Sequence, residues 1–178
     1  MFNINSNSPT YDPQAVQPMR DELVAAGFRE MLSPADIDSF VNRKDDKTVL
    51  VMVNSVCGCA AGSARPGVTL ALQNKTIPDE LLTTFAGQDK AAVAALREKY
   101  LPGVPPSSPF IVLFKNGEAI FMMQRFNIEG KSADMVAGEL IEAFDRLCSA
   151  QGPSIPEEDY KNLVHAVSCG SKIPLARN

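Results

Sequence analysis

The stretch that most constrains this chain is Val49-Leu50-Val51-Met52-Val53, followed by Cys57-Gly58-Cys59 and then Ala60-Ala61-Gly62-Ser63-Ala64. The first block is apolar and rich in β-branched residues, which predicts a buried strand. The last is small and Ala-rich, which predicts the opening turns of a helix. Two thiols therefore stand where a strand ends and a helix begins. Unpaired N–H groups and the positive end of the helix dipole favour a thiolate there. A thiolate is the reactive form of cysteine, so the placement predicts thiol–disulfide chemistry.

The surrounding pattern supplies a frame for that junction. A helix is expected over about Gln14 to Ala26, starting near Pro18 or kinked there, since proline fits best in a first turn. Ser33-Pro34-Ala35-Asp36 starts a second helix, with Ser33 as the cap and Pro34 at the first position. A strand follows over Thr48 to Asn54. The helix after the cysteines should reach about Gln73 and kink at Pro66. A short strand is expected over Leu82 to Ala86 and a helix over Lys90 to Tyr100. Pro102, Pro105, Pro106 and Pro109 make a rigid loop before the strand Phe110 to Phe114. Asn116-Gly117 signals a hairpin turn into a strand over Glu118 to Gln124. Ser132 caps a helix reaching about Cys148. A strand–helix–strand unit joined to a hairpin and a closing helix is the thioredoxin arrangement. The fold expected is α/β and thioredoxin-like: three layers around a central mixed sheet, with two N-terminal helices and a C-terminal extension.

The length of 178 residues, with 45% apolar and 21% charged residues, suits one domain with a substantial core. Residues 1–10 are expected to be flexible, 11–149 to form the domain, and 150–178 to be an extension holding one short helix over Glu157 to Val167. A net charge of -4 counts against a nucleic-acid partner. The polar start lacks the basic and apolar regions of a signal peptide, and no apolar run is long enough for a bilayer. A cytoplasmic protein with no membrane partner is expected. Four cysteines in such a chain point to catalysis, redox chemistry or metal binding before a structural framework.

Two resemblances sharpen the reading. Pro109-Phe110-Ile111-Val112-Leu113-Phe114-Lys115-Asn116-Gly117-Glu118 resembles the thioredoxin segment that follows its cis-proline. Val53 to Gly62 with Ala64-Arg65-Pro66, Phe85 to Lys90, Pro106-Ser107-Ser108-Pro109, Ile128-Glu129-Gly130, and Ala143-Phe144-Asp145 followed by Cys148 together resemble the bacilliredoxin family. These are thioredoxin-like proteins with a Cys-Gly-Cys site, and the match covers about Tyr11 to Cys148. The thioredoxin resemblance implies that Ser108–Pro109 is cis and faces the cysteines. The bacilliredoxin one implies removal of bacillithiol from mixed disulfides on client proteins, or a general disulfide isomerase activity. One departure stands at Arg125, usually flanked in the family by Pro and His, here by Gln124 and Phe126.

Within that reading Cys57 is the nucleophile and Cys59 the resolving thiol. Gly58 eases a disulfide across a single residue, which should be strained and easily reduced. Gly58, Arg65, Ser108, Pro109 and Arg125 are the candidate substrate-binding residues, the two arginines as cationic partners for the malate carboxylates of bacillithiol. No cofactor is expected beyond the thiols, with bacillithiol or a similar low-molecular-weight thiol as co-substrate. Cys148 is a candidate resolving thiol or a packed small hydrophobe, and Cys169 is read as incidental. Gln88 and Asp89 fall on the rim, with helix capping by Asp89 an equal reading. The only histidine, His165, lies in the tail, which argues against a Cys–His hydrolase. Two alternatives remain: a protein disulfide isomerase, and a non-enzymatic thiol module binding metal or persulfide. The metal form would use Cys57 and Cys59 with Cys148 and Cys169, a spacing unlike usual zinc sites.

Overall fold

The structure is a computed structural model and describes residues 7–177. Asp12 caps helix α1 (Pro13–Ala25), its carboxylate accepting from the Gln14 N–H at 2.8 Å. Pro13 takes the first turn and Pro18 lies within the helix, so the start is earlier than Pro18. Strand β1 (Arg29–Glu30) leads to α2 (Pro34–Val41), which opens with the expected Ser33–Asp36 capping box. Strand β2 (Thr48–Asn54) is buried along its whole length.

The helix after β2 includes a π-helical turn over Ala60–Ala64 before α3 (Arg65–Ala71). The Arg65 N–H reaches back five residues to the Ala60 carbonyl. A widened turn is one way a helix absorbs the ring and missing N–H of Pro66, and it stands just before the position where a kink was expected. Strand β3 (Thr76–Ile77), β4 (Glu80–Phe85) and α4 (Lys90–Tyr100) follow. The hairpin β5 (Phe110–Lys115) and β6 (Glu118–Met123) turns at Asn116 and Gly117, both at positive φ. The short helix α5 (Arg125–Ile128) precedes α6 (Ala133–Leu147), capped by Ser132.

The main sheet has the order β1-β4-β2-β5-β6. β1 and β2 both run parallel to β4, while β5 pairs antiparallel with β2 and β6 with β5. Alternation along β2 sends Leu50 and Met52 to one face, with Val68, Leu140 and Phe144. Val49, Val51 and Val53 go to the other, with Ile37, Val93 and Leu96. These two cores sandwich the sheet between α3 with α6 and α2 with α4, the three-layer α/β architecture expected. α3 and α6 approach closely at Gly67, where an added Cβ would lie 2.8 Å from Val136 Cβ.

The chain beyond α6 packs back onto this body. β7 (Ala150–Gln151) pairs with β3, and α7 (Glu157–Lys161) is shorter than the helix expected to Val167. Further along, the backbone of Ala166 is committed to side chains of the body instead of a helix. A short 3-10 turn (Gly170–Lys172) follows, and Leu175 forms a β-bridge with Tyr11. Of the stretch 1–10 expected to be flexible, residues 1–6 lie outside the described residues. Thr10 is held by bonds from its N–H to Gly87 O and from Ala176 N–H to its own carbonyl.

Candidate active site

β2 delivers the chain to one end of the sheet. There Asn54 turns it, its Oδ1 accepting the Ser55 N–H at 2.8 Å, and Ser55 Oγ accepts the Cys57 N–H at 3.3 Å. The Cys57 carbonyl accepts from the N–H groups of Ala60 and Ala61, so Cys57 occupies the mouth of the helix. Cys57 and Cys59 are half-buried free thiols, with Sγ atoms 2.8 Å apart; Gly58 between them is exposed.

The two sulfurs differ in surroundings. Cys59 packs against the core beneath the helix. Burial, then the hydrogen bond and charge of Cys57, push its pKa up to about 11. Cys59 therefore holds its proton at neutral pH. Arg125, at the start of α5, lies within electrostatic reach of both sulfurs. Negative charge on Cys57 foremost, and then on Cys59, raises the pKa of its guanidinium further. Its side chain is exposed, with a 3.4 Å contact to Glu129 as the only ion pair it makes among the described residues.

Ser108–Pro109 is cis, as the resemblance implies. Phe110 lies opposite Val53 in the β2–β5 register, so Pro109 enters the sheet at the end that carries Cys57. Pro109 is buried and Ser108 half-buried. The neighbouring Ser107 Oγ lies 3.5 Å from the Arg125 N–H, joining the proline loop to α5. Phe126 is 70% exposed beside Arg125.

Three expectations need correction. Arg65 does not face a ligand: it is 0% exposed. Its Nε donates to Glu22 Oε2 at 2.8 Å, Nη1 donates to Asn54 Oδ1 and Ser55 O, and Nη2 to Ala166 O. The guanidinium is a buried tie between α1, the end of β2, α3 and the tail. Cys148 does not face Cys57. Its thiol lies near Thr48, the first residue of β2, and near Asp79 and Lys115, whereas the cysteine pair follows the last. Seven strand residues span roughly 20 Å, so Cys148 sits at the opposite end of the sheet. That also breaks the four-cysteine metal set. Among the described residues no group of three or more His, Cys, Asp or Glu side chains is placed to hold a metal. Finally, Cys169 is not incidental in position: a Cβ on Gly58 would be 3.8 Å from its Sγ. No periodicity or motif in the tail signals that return.

Gln88 and Asp89 turn out to be structural. Gln88 exchanges two hydrogen bonds with the Tyr11 backbone. Asp89 accepts the Phe85 N–H and pairs with Arg20, and its side chain makes no cap bond to α4. His165 Nδ1 lies 2.7 Å from Glu22 Oε1, in the same cluster as Arg65.

A mixed sheet of this order, with a thiol pair at the helix mouth and a cis-proline at the same end, defines a thioredoxin-fold thiol–disulfide redox protein. The sequence model of a family described as disulphide isomerase matches residues 11–148. A bacilliredoxin of Salinibacter ruber is 46% identical over 165 residues, covering 92% of this chain and 95% of that protein. A bacilliredoxin of Geobacillus kaustophilus is 49% identical over 139 residues, 78% of this chain and 94% of the relative. The chain belongs to the bacilliredoxin family. Among solved structures, the oxidised thioredoxin from Plasmodium falciparum aligns with a TM-score of 0.42 at 14% identity, over 66% of this chain and 97% of that one. The fold assignment rests on the sheet order and register described above.

Proposed function

We propose that this protein removes bacillithiol, or a similar low-molecular-weight thiol, from mixed disulfides on client proteins. The observation that supports this most is the asymmetry of the thiol pair. Cys59 keeps its proton and packs against the core, while Cys57 stands at the helix mouth within reach of the Arg125 charge. Cys57 attacks the small-thiol sulfur of the adduct. The client leaves as a free thiol and Cys57 carries the small thiol. Cys59, 2.8 Å away, then displaces it and forms the Cys57–Cys59 disulfide. The cis-proline loop, with Ser108 and Pro109, stands at the same end of the sheet as the thiol pair, and Gly58 between the cysteines is exposed. Arg125 offers an exposed cation to the carboxylates of the ligand. No described helix is long and apolar enough to cross a membrane. The reading carries with it a reducing compartment, the cytoplasm, where small thiols circulate.

Turnover of a bacillithiolated client, beside the same client carrying glutathione, tests the reading. Wild-type protein should free the client thiol and prefer the bacillithiol adduct, and Cys57→Ser should abolish the reaction. Equal rates for both adducts would remove bacillithiol as the specific ligand. Activity surviving in Cys57→Ser would remove the nucleophile. A disulfide isomerase would instead restore activity to a scrambled client and show no preference among small-thiol adducts.

A further inference from the structure

The tail crosses the site as a strap fastened on both sides of Cys169. Upstream, Ala166 gives its N–H to Glu22 at 3.0 Å and takes a bond from buried Arg65 at 2.8 Å. Downstream, Ile173 is buried in a cluster with Val16, Val56 and Phe85. The Asp12 N–H bonds to the Pro174 carbonyl at 2.9 Å. Between these anchors the Gly170 N–H donates to the Val56 carbonyl at 2.7 Å. That bond joins the peptide unit linking Val56 to Cys57 with the one linking Cys169 to Gly170. Each cysteine therefore borders one of two hydrogen-bonded peptide groups. The Cys169 sulfur lies against Gly58, between the two site cysteines, and stays part-exposed. The two backbones thus touch beside the cysteines, and a disulfide needs Cα atoms within about 7 Å of each other.

Resting on the redox reading above, we propose that Cys169 is a third catalytic thiol, a second resolving partner for Cys57. Cys59 is closer to Cys57 but is held protonated against the core, and thiols in that state attack slowly. In the proposed step Cys57 carries a small thiol R as Cys57–S–S–R. Cys169 loses a proton to solvent and its thiolate attacks Cys57 Sγ. The Cys57–Cys169 bond forms as the bond to R breaks, and R leaves as a thiolate that takes up a proton. The oxidising equivalent passes from the mixed disulfide to the cysteine pair. Two molecules of a low-molecular-weight thiol, or one dithiol reductant, return the pair to thiols and leave as a disulfide.

The test adds one equivalent of the aromatic disulfide DTNB to the full-length Cys59→Ser protein and to Cys59→Ser/Cys169→Ser. The coloured thiolate TNB is counted as it is released. Cys59→Ser should release two TNB per DTNB and yield a Cys57–Cys169 peptide pair. The double variant should release one and keep the TNB adduct on Cys57, with the first release equally fast in both. One TNB and a lasting adduct in both variants would overturn the role of Cys169 and leave Cys57 as the nucleophile. Failure of Cys57 to take the adduct in the double variant would overturn both readings.

Discussion

At the scale of single residues, environment divides four cysteines of one chemical type into different tasks. Cys148 is half-buried at the far end of the sheet, and desolvation pushes its thiol up to about 11. It should therefore be alkylated much more slowly than Cys57 at pH 8, and Cys148→Ser should leave client turnover within about twofold. The same shift has a stability consequence. The folded protein keeps a proton that the unfolded chain loses near pH 9, so the unfolded state binds fewer protons between about pH 9 and 11. The Cys148 contribution is present below that window and lost as pH rises through it. Urea midpoints at pH 8.5 and 10.5 should fall less in Cys148→Ala than in wild type. Arg125 acts through charge. Arg125→Ala removes a charge-assisted contact of about 1.5–3 kcal/mol, so the rate at low adduct concentration should drop roughly tenfold or more. A rate unchanged at every adduct concentration would take Arg125 out of ligand binding.

At the scale of elements, the strand–helix junction was legible because its signals are local. Apolar β-branched residues mark β2, alanines mark the helix, and Ser33, Ser132 and Asn116-Gly117 mark caps and a turn through their own side chains or backbone freedom. The sequence reading missed β1, β3 and β7, each of two residues and defined only by a distant partner. From the sequence Arg65 reads as a cation for the ligand's carboxylates, and the structure buries it instead. Its burial depends on Glu22, which is 43 positions away and has no local mark. α3 and α6 meet where Gly67 leaves no room for a Cβ. Gly67→Ala should cost about 1–3 kcal/mol in urea unfolding through overpacking, without changing the alkylation rate of Cys57.

At the scale of the whole molecule, one buried ion pair joins the site to the tail. Glu22 and Arg65 are both fully enclosed, and their remaining bonds reach Asn54, Ser55, His165 and Ala166. Replacing Arg65 with Met alone takes the guanidinium away from a buried carboxylate and should cost about 3–5 kcal/mol. The paired change Arg65→Met with Glu22→Leu should recover much of that stability in urea unfolding while freeing the strap, exposing Cys169 to faster alkylation. Strap, helix mouth and proline loop converge on Cys57, so the account stands on that sulfur. The most direct measurement is the intact mass of Cys59→Ser/Cys169→Ser after mixing with a bacillithiolated client. Gain of one bacillithiol on Cys57, with the client released as a free thiol, is the result predicted. An unmodified protein, or a covalent complex with the whole client, would contradict the account.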